Sequence, residues 1–360
     1  MSDTNGDERR TGHPDTSSSA LRRRSFIAAA GATATGMVGA ASADRGRGND
    51  GDRDRPAGAD NRGRNRSRER GFTDRTDEPE LIAHRGFAGL YPENTVGAVE
   101  ASARGIQSPY APSRGADMIE IDVVPTADDD VVVFHDDRLA ERDGGERGLT
   151  DTEGVVWETD TETVTSAEVL ESGETVPRLR ETLAAIPSHV GVNVELKNPG
   201  SFDVRFAESL SSEELATQKE IWQPFVADVL AVVDDFDHEY LFSSFYEAAL
   251  ATTREASDYP VAPLLWDSVE AGVEVARRYE AEAVHPPYDM IRGTPFYADQ
   301  HYAADAGWDE IDLLAVAHEE GRDVNVFTLE TWYQAEQLAA AGVDGLISDY
   351  ADVRRFGATN

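Results

Sequence analysis

The 360-residue chain has a formal net charge of −36 and no cysteine, which excludes disulfides, thiolate nucleophiles, Cys-ligated zinc and a lipid-modified N-terminal cysteine. Residues 1–78 hold 15 Arg and 13 Asp or Glu, so the other 18 basic and 56 acidic residues fall in residues 79–360. That region repels nucleic acid and anionic lipid at ordinary salt, and its acids are spread along the chain rather than blocked, which reads as adaptation to concentrated salt.

The N-terminal segment, residues 1–43, contains Arg23-Arg24-Ser25-Phe26-Ile27, a weakly apolar Ala/Gly/Thr stretch and a closing Ala41-Ser42-Ala43. This is the charged, apolar, small-residue order of a signal peptide, and its paired arginines resemble a twin-arginine signal. Export to the cell surface or beyond through the twin-arginine machinery is therefore expected. The stretch falls short of the ~20 apolar residues of a membrane span, so no stable membrane insertion is expected after cleavage. Residues 44–78 form a polar Arg/Asp/Gly linker with too little apolar surface to order itself. Residues 79–360 remain for the folded part, about the size of one α/β barrel.

From residue 79, short β-like runs alternate with helical ones. The β-like runs are LIAHR (81–85), MIEIDVV (118–124), VVVFHDD (131–137), GVNVELK (191–197), YLFSSF (240–245), VAPLLW (261–266), AEAVHPP (281–287), DVNVFTL (323–329) and GLISDY (345–350). Helix-like segments include 95–104, 207–218, 224–236, 268–280, 310–321 and 332–342. Such alternation implies parallel strands with helical crossovers. The six residues between MIEIDVV and VVVFHDD are too few for a parallel crossover, so these two runs are read as a hairpin. Counted as one position, the hairpin leaves eight units, as in a (β/α)8 TIM barrel. A doubly wound open sheet is the other candidate, but no glycine-rich nucleotide loop follows any strand.

Barrel active sites lie at the carboxyl ends of the strands. His84-Arg85 ends the first run, Glu120 and Asp122 lie in the second, His135-Asp136 closes the hairpin, and Glu195 and Lys197 end the next. Residues two apart on a strand share a face, so Glu120 joins Asp122 and Glu195 joins Lys197. Three carboxylates converging inside a barrel need a cation, and all-oxygen ligation suits Ca²⁺ or Mg²⁺ better than zinc. Arg85 and Lys197 can hold phosphate oxygens, and His84 and His135 can divide acid and base work.

His84-Arg85-Gly86, Pro92-Glu93-Asn94-Thr95, Glu120-Ile121-Asp122, His135-Asp136, Val176-Pro177 with Leu179, Glu195-Leu196-Lys197 and the late GVDGLISD together resemble the glycerophosphodiester phosphodiesterases in order and spacing, over residues 80–350. The resemblance implies a distorted barrel with a small insertion after the second strand region, about residues 137–176. It implies that His84 and His135 are the catalytic pair, that Glu120, Asp122 and Glu195 bind a metal, and that Arg85 and Lys197 hold phosphate. The implied reaction releases glycerol phosphate and an alcohol from a small glycerophosphodiester by way of a cyclic phosphate. The sequence departs from the family at Phe327-Thr328, where Trp-Thr is common, so an aromatic wall without an indole donor is expected. Segment 106–117 is also long, and is expected on the face opposite the site.

Asn94 and Thr95 are expected to cap the following helix, with Pro92 and Glu93 shaping the turn. His285 ends a strand and is a candidate for the pocket wall, while His189, His238, His301 and His318 are expected at the surface. Two other functions compete. A barrel phospholipase acting on intact lipids needs an apolar rim, which the polar segment 137–176 does little to supply. A non-catalytic protein that captures glycerophosphodiesters would lack a histidine or a metal carboxylate, and none is missing.

Overall fold

The computed structural model describes residues 78–105, 114–142, 145–299, 301–302, 308 and 311–353. The expected signal and all of the expected linker but Glu78 lie outside the described residues, as do residues 106–113 of the long segment before the second strand.

Eleven strands are formed among the described residues: β1 (Glu80–Ala83), β2 (Met118–Pro125), β3 (Val131–Val133), β4 (Glu141–Arg142), β5 (Glu146–Arg147), β6 (Gly191–Leu196), β7 (Tyr240–Ser244), β8 (Val261–Pro263), β9 (Ala283–Val284), β10 (Asp323–Leu329) and β11 (Gly345–Ser348). Eight of them pair in parallel in the order β8-β7-β6-β2-β1-β11-β10-β9, and a parallel bridge between Leu264 and His285 brings the two ends together. The result is a nearly closed (β/α)8 barrel. An open doubly wound sheet is ruled out because the last strand returns to the first, Glu80 to Ala83 running beside Gly345 to Ser348.

β3 runs antiparallel to β2, with Val124 opposite Val132, so the two runs read as a hairpin do occupy one barrel position. Every residue of β2 and β6 is buried, as strands covered on both faces must be. Ile82, Met118, Leu241, Ala262, Leu264, Ala283, Phe327 and Ile347 form one buried cluster contributed by seven barrel strands. β9 is shorter than its apolar run, because Pro286 and Pro287 have no N–H with which to extend the ladder.

Helices alternate with these strands: Val96–Arg104, Leu179–Ala185, Ser212–Val233, Glu247–Ala256, Val269–Arg278, Leu313–Glu319 and Trp332–Ala341. The two segments expected at 207–218 and 224–236 are one helix, Ser212–Val233, with Pro224 inside it. Pro224 is exposed, so water can satisfy the carbonyl that its missing N–H leaves unpaired.

The insertion carries the β4–β5 hairpin and the helix Thr161–Ser166. Despite its polar composition it has its own core, in which Leu139, Leu149, Val156, Val164, Val169 and Val176 pack on Val124, Val132 and Phe134. Among the histidines expected at the surface, His189 and His301 are exposed and His318 is half-buried against Asp344. His238 is a correction: it is buried, its Nε2 lies 3.1 Å from the Leu183 carbonyl oxygen, and its ring stacks on Phe236. No helix among the described residues is long and apolar enough to cross a membrane.

Candidate active site

β1 ends in a single tight turn, His84–Gly86, that throws His84 and Arg85 across the barrel mouth. Arg85, Gly86 and Phe87 all have positive φ (50°, 73° and 61°). A side chain at Gly86 would also meet Ala98, whose Cβ and carbonyl carbon lie 3.0 and 3.1 Å from the position a Cβ would take. Only glycine serves there, which accounts for the third letter of His-Arg-Gly.

The turn brings the Arg85 N–H to Glu120 Oε2 at 2.7 Å, while Arg85 Nη1 donates to Glu93 Oε1 at 2.9 Å and Nε faces Asp122 Oδ2 at 3.3 Å. Asp122 is the register partner of Glu195 on the neighbouring strand. Lys197 Nζ donates to Glu195 Oε1 at 2.7 Å and lies 3.6 Å from Asp122 Oδ1. Glu120, Asp122 and Glu195 are buried, and one oxygen of each lies within 4.8 Å of those of the others.

Thr95 caps its helix as expected, accepting from the Ala98 N–H at 3.2 Å. Asn94 does not. Its Nδ2 donates to Asp122 Oδ2 at 2.8 Å and its Oδ1 accepts from the Asp122 N–H at 3.3 Å. It holds a φ of 59°, a conformation asparagine tolerates better than most residues. Glu93 does more than shape the turn, since it is buried and accepts both Arg85 and Arg142.

Each histidine of the expected catalytic pair rests on an aspartate. His84 Nδ1 is 2.6 Å from Asp349 Oδ1, and His135 Nδ1 is 2.8 Å from Asp136 Oδ1. Both rings bear electrostatically on Asp122. Burial, helped by the charges of Arg85 and Lys197, holds His135 well below the usual imidazole range and therefore neutral. All seven residues singled out in the sequence are thus gathered at one end of the barrel.

The electrostatics show how the carboxylates are compensated. Burial would raise Asp122, but Lys197 and Arg85 overcome it and hold that group below the ordinary carboxylate range. Glu120 goes the other way, pushed well up by burial and by the charges of Asp122 and Glu195. Glu195 is also raised, chiefly by burial. Lys197 is raised despite burial, because Glu195 and Asp122 favour its charge. Glu120 Oε1 and Asp122 Oδ1 are buried without a hydrogen-bond partner. Buried oxygens without a hydrogen-bond partner beside a third carboxylate fit a divalent cation that prefers oxygen ligands.

Beside Lys197 the mouth turns aromatic. Lys197 Nζ stands 5.8 Å from the Phe245 ring centroid, and Phe245 meets Phe327 edge-on at 6.0 Å. Tyr302 packs on Phe327 at 5.6 Å, and its hydroxyl oxygen accepts the Thr328 N–H at 2.9 Å. Phe327 thus belongs to an aromatic wall, but the wall is not without an indole as expected, since Trp266 meets both Phe245 and Tyr302 edge-on at 5.9 Å. His285, the candidate wall residue, is fully buried and hydrogen-bonded to Asn325 rather than exposed at the mouth.

A profile of the glycerophosphoryl diester phosphodiesterase family matches residues 84–353. The chain belongs to that family. It is similar to the glycerophosphodiester phosphodiesterase of Bacillus altitudinis, 26% identical over 287 residues that cover 76% of this chain and 95% of the relative. It is 25% identical to the glycerophosphodiester phosphodiesterase of Caldanaerobacter subterraneus over 272 residues, 75% of this chain and 93% of that one. Two solved structures share the fold. An Oleispira antarctica phosphodiesterase in complex with the product sn-glycerol-3-phosphate superposes with a TM-score of 0.57 at 22% identity, over 77% of this chain and 96% of its own. The Thermotoga maritima glycerophosphodiester phosphodiesterase gives 0.54 at 19%, over 77% and 97%. As a member of the glycerophosphoryl diester phosphodiesterase family, this chain is an enzyme with a (β/α)8 barrel and a buried acidic triad able to hold a divalent metal.

Proposed function

We propose that the protein hydrolyses small glycerophosphodiesters to glycerol phosphate and an alcohol, with His84 and His135 as the acid/base pair. The observation that carries this reading is the pairing of two aspartate-held imidazoles with three buried carboxylates, two of which present oxygens without a hydrogen-bond partner. Glu120, Asp122 and Glu195 would hold a Ca²⁺ or Mg²⁺ ion. Such an ion supplies positive charge that stabilises the extra negative charge of a phosphoryl transition state. Arg85 and Lys197 bind the non-bridging phosphate oxygens and keep the reacting phosphorus over the triad.

Each imidazole has its Nδ1 taken by a carboxylate, which leaves Nε2 to meet the substrate. His135, held neutral, withdraws the proton from the glycerol hydroxyl next to the ester as its oxygen bonds to phosphorus. The bond from phosphorus to the alcohol breaks, and His84 gives the departing oxygen a proton. The resulting five-membered cyclic phosphate is opened by water with the two histidines exchanging roles, which returns both to their starting states.

The test is release of glycerol phosphate from glycerophosphocholine in molar KCl, with Ca²⁺, Mg²⁺ or EDTA, by the wild type and by His84→Ala and His135→Ala. Metal-dependent release that either substitution abolishes is expected. A folded, metal-loaded wild type that releases nothing overturns the assignment. We also propose that residues 1–43 direct export by a twin-arginine route; changing Arg23 and Arg24 to lysine should leave the protein inside the producing cell.

A further inference from the structure

Among the described residues of the insertion's β4–β5 hairpin, Arg142 reaches the catalytic end, and the reaction as proposed gives that side chain no part. Arg142, on β4, spends all three guanidinium nitrogens on two carboxylates, the buried Glu93 and the half-buried Asp136. Its Nη2 and Nη1 donate to Glu93 Oε1 and Oε2 at 2.6 and 2.9 Å, and its Nε donates to Asp136 Oδ2 at 2.8 Å. Each acceptor has its other contact in the site. Glu93 Oε1 also receives Arg85 Nη1 at 2.9 Å, and Asp136 Oδ1 lies 2.8 Å from His135 Nδ1. One arginine therefore joins the phosphate-binding arm to the imidazole across the mouth.

We propose that Arg142 is a positioning residue, which fixes His135 through Asp136 and Arg85 through Glu93, so that the insertion sets the geometry of the reacting groups. This rests on the catalytic reading of His135 and Arg85 given above. The shape of the guanidinium is what the role demands. Its planar fork clamps Glu93 bidentately while Nε, in the same plane, reaches a second carboxylate, and a lysine ammonium offers one point of attachment instead. Asp136 can choose a rotamer for His135 only if Asp136 is itself held, and among the described residues it is Arg142 Nε that holds its other oxygen. Electrostatics agree. Burial raises Asp136 against the pull of Arg142, whereas Glu93, likewise buried, is held low by Arg85 and Arg142 together.

A purely structural role makes a different prediction. The insertion is already anchored by its own apolar cluster, so the clamp is not what seats it. Removing a clamp that only held the fold would lower stability and leave the turnover of the surviving folded molecules unchanged.

The test uses Arg142→Lys, which keeps the charge and loses the fork, with Asp136→Asn and the double variant. Steady-state kinetics on glycerophosphocholine are combined with two-dimensional ¹H–¹⁵N spectra that report the His135 tautomer. The expected result is a kcat lower by about tenfold to hundredfold in Arg142→Lys, as when a partner that orients a catalytic ligand is lost, with KM within about threefold. The double variant should fall below Asp136→Asn alone by less than the factor that Arg142→Lys costs by itself, because the two substitutions share the His135 arm and only Arg142 also reaches Arg85 through Glu93. The His135 spectrum should pass from one tautomer in the wild type to a mixture in Arg142→Lys. An unchanged kcat, multiplying effects in the double variant, or an unchanged tautomer overturns the proposal. If the wild type proves inactive on every glycerophosphodiester, the function reading fails, and the spectra still decide whether Arg142 sets the state of His135.

Discussion

His84 Nδ1 lies 2.6 Å from Asp349 Oδ1, although 265 positions separate the two residues. The contact follows from barrel closure. Ala83 and Ser348 are register partners on adjacent parallel strands, so the residues that follow them emerge side by side. Asp349 then fixes one orientation of the imidazole and, in the proposed reaction, leaves Nε2 to meet the substrate. Asp349→Asn should lower kcat by about tenfold to hundredfold with little change in KM, as expected when an orienting partner rather than a binding group is lost. Steady-state kinetics on glycerophosphocholine check this, and an unchanged kcat would mean that the ring is held by other contacts.

The parts of this site legible in the sequence are those fixed by local periodicity. Glu120 with Asp122, and Glu195 with Lys197, sit two apart on strands, so a shared face followed from the pleat alone. Asp349 was visible within GVDGLISD, but its partnership with His84 depends on which strands close the ring. Asn94 was misread because Asn-Thr before a helix is equally the signature of a cap, and only the close approach of β2 diverts it to Asp122. Arg142 gave no signal at all. It is one of three arginines in an acidic insertion, 49 positions from Glu93. The insertion's core was hidden for a related reason, because Leu139, Leu149, Val156, Val164 and Val169 are separated by turns and follow neither a helical nor a strand period.

If His84 protonates the departing alcohol, its importance depends on how much help that alcohol needs. For an aliphatic alcohol such as choline, His84→Ala should lower kcat/KM by about 10²- to 10⁴-fold, the usual contribution of a positioned acid. For the p-nitrophenyl ester of glycerol phosphate, whose leaving group departs without a proton, the same substitution should cost about tenfold or less. His135→Ala, which removes the base, should slow both substrates alike. The reverse pattern, with His135→Ala spared on the nitrophenyl ester and His84→Ala not, would exchange the two roles.

Without a cation the triad opposes folding. Burial and the charges of Asp122 and Glu195 push Glu120 well above the ordinary carboxylate range, so the folded state keeps a proton that the unfolded chain has released. The stability of the EDTA-treated protein should therefore fall as pH rises above that ordinary range. Added Ca²⁺ or Mg²⁺ should restore it, by about 2.7 kcal/mol at a hundred times the dissociation constant. Glu120→Gln, which removes the charge and a ligand together, should flatten the pH dependence of the metal-free protein and shrink the metal-induced rise in Tm. Thermal unfolding with and without cation tests both halves, and a Glu120→Gln variant as responsive to metal as the wild type would remove Glu120 from the ligand set.

A second pH effect lies away from the triad. His285 is fully buried at the end of β9, and its Nε2 is 3.1 Å from Asn325 Nδ2. With Asn325 Nδ2 as the donor, Nε2 accepts and the neutral ring carries its hydrogen on Nδ1, which is buried without a hydrogen-bond partner. Burial depresses this imidazole to about 3. Between that value and the ordinary ~6.5 of an unfolded histidine, the unfolded chain binds a proton that the folded protein refuses. The neutral imidazole's contribution to stability is therefore complete above about pH 6.5 and is lost as pH falls through that window, by up to ~1.4 kcal/mol per pH unit. His285→Gln, which retains an acceptor for Asn325 and cannot be protonated, should be less stable than the wild type near neutrality and close the gap as pH drops toward 4. Denaturant unfolding of the two proteins at pH 4, 5, 6 and 7 cancels the titration of every other group, and a difference between them that stays constant across that series would show that His285 is free to take up its proton in the folded state.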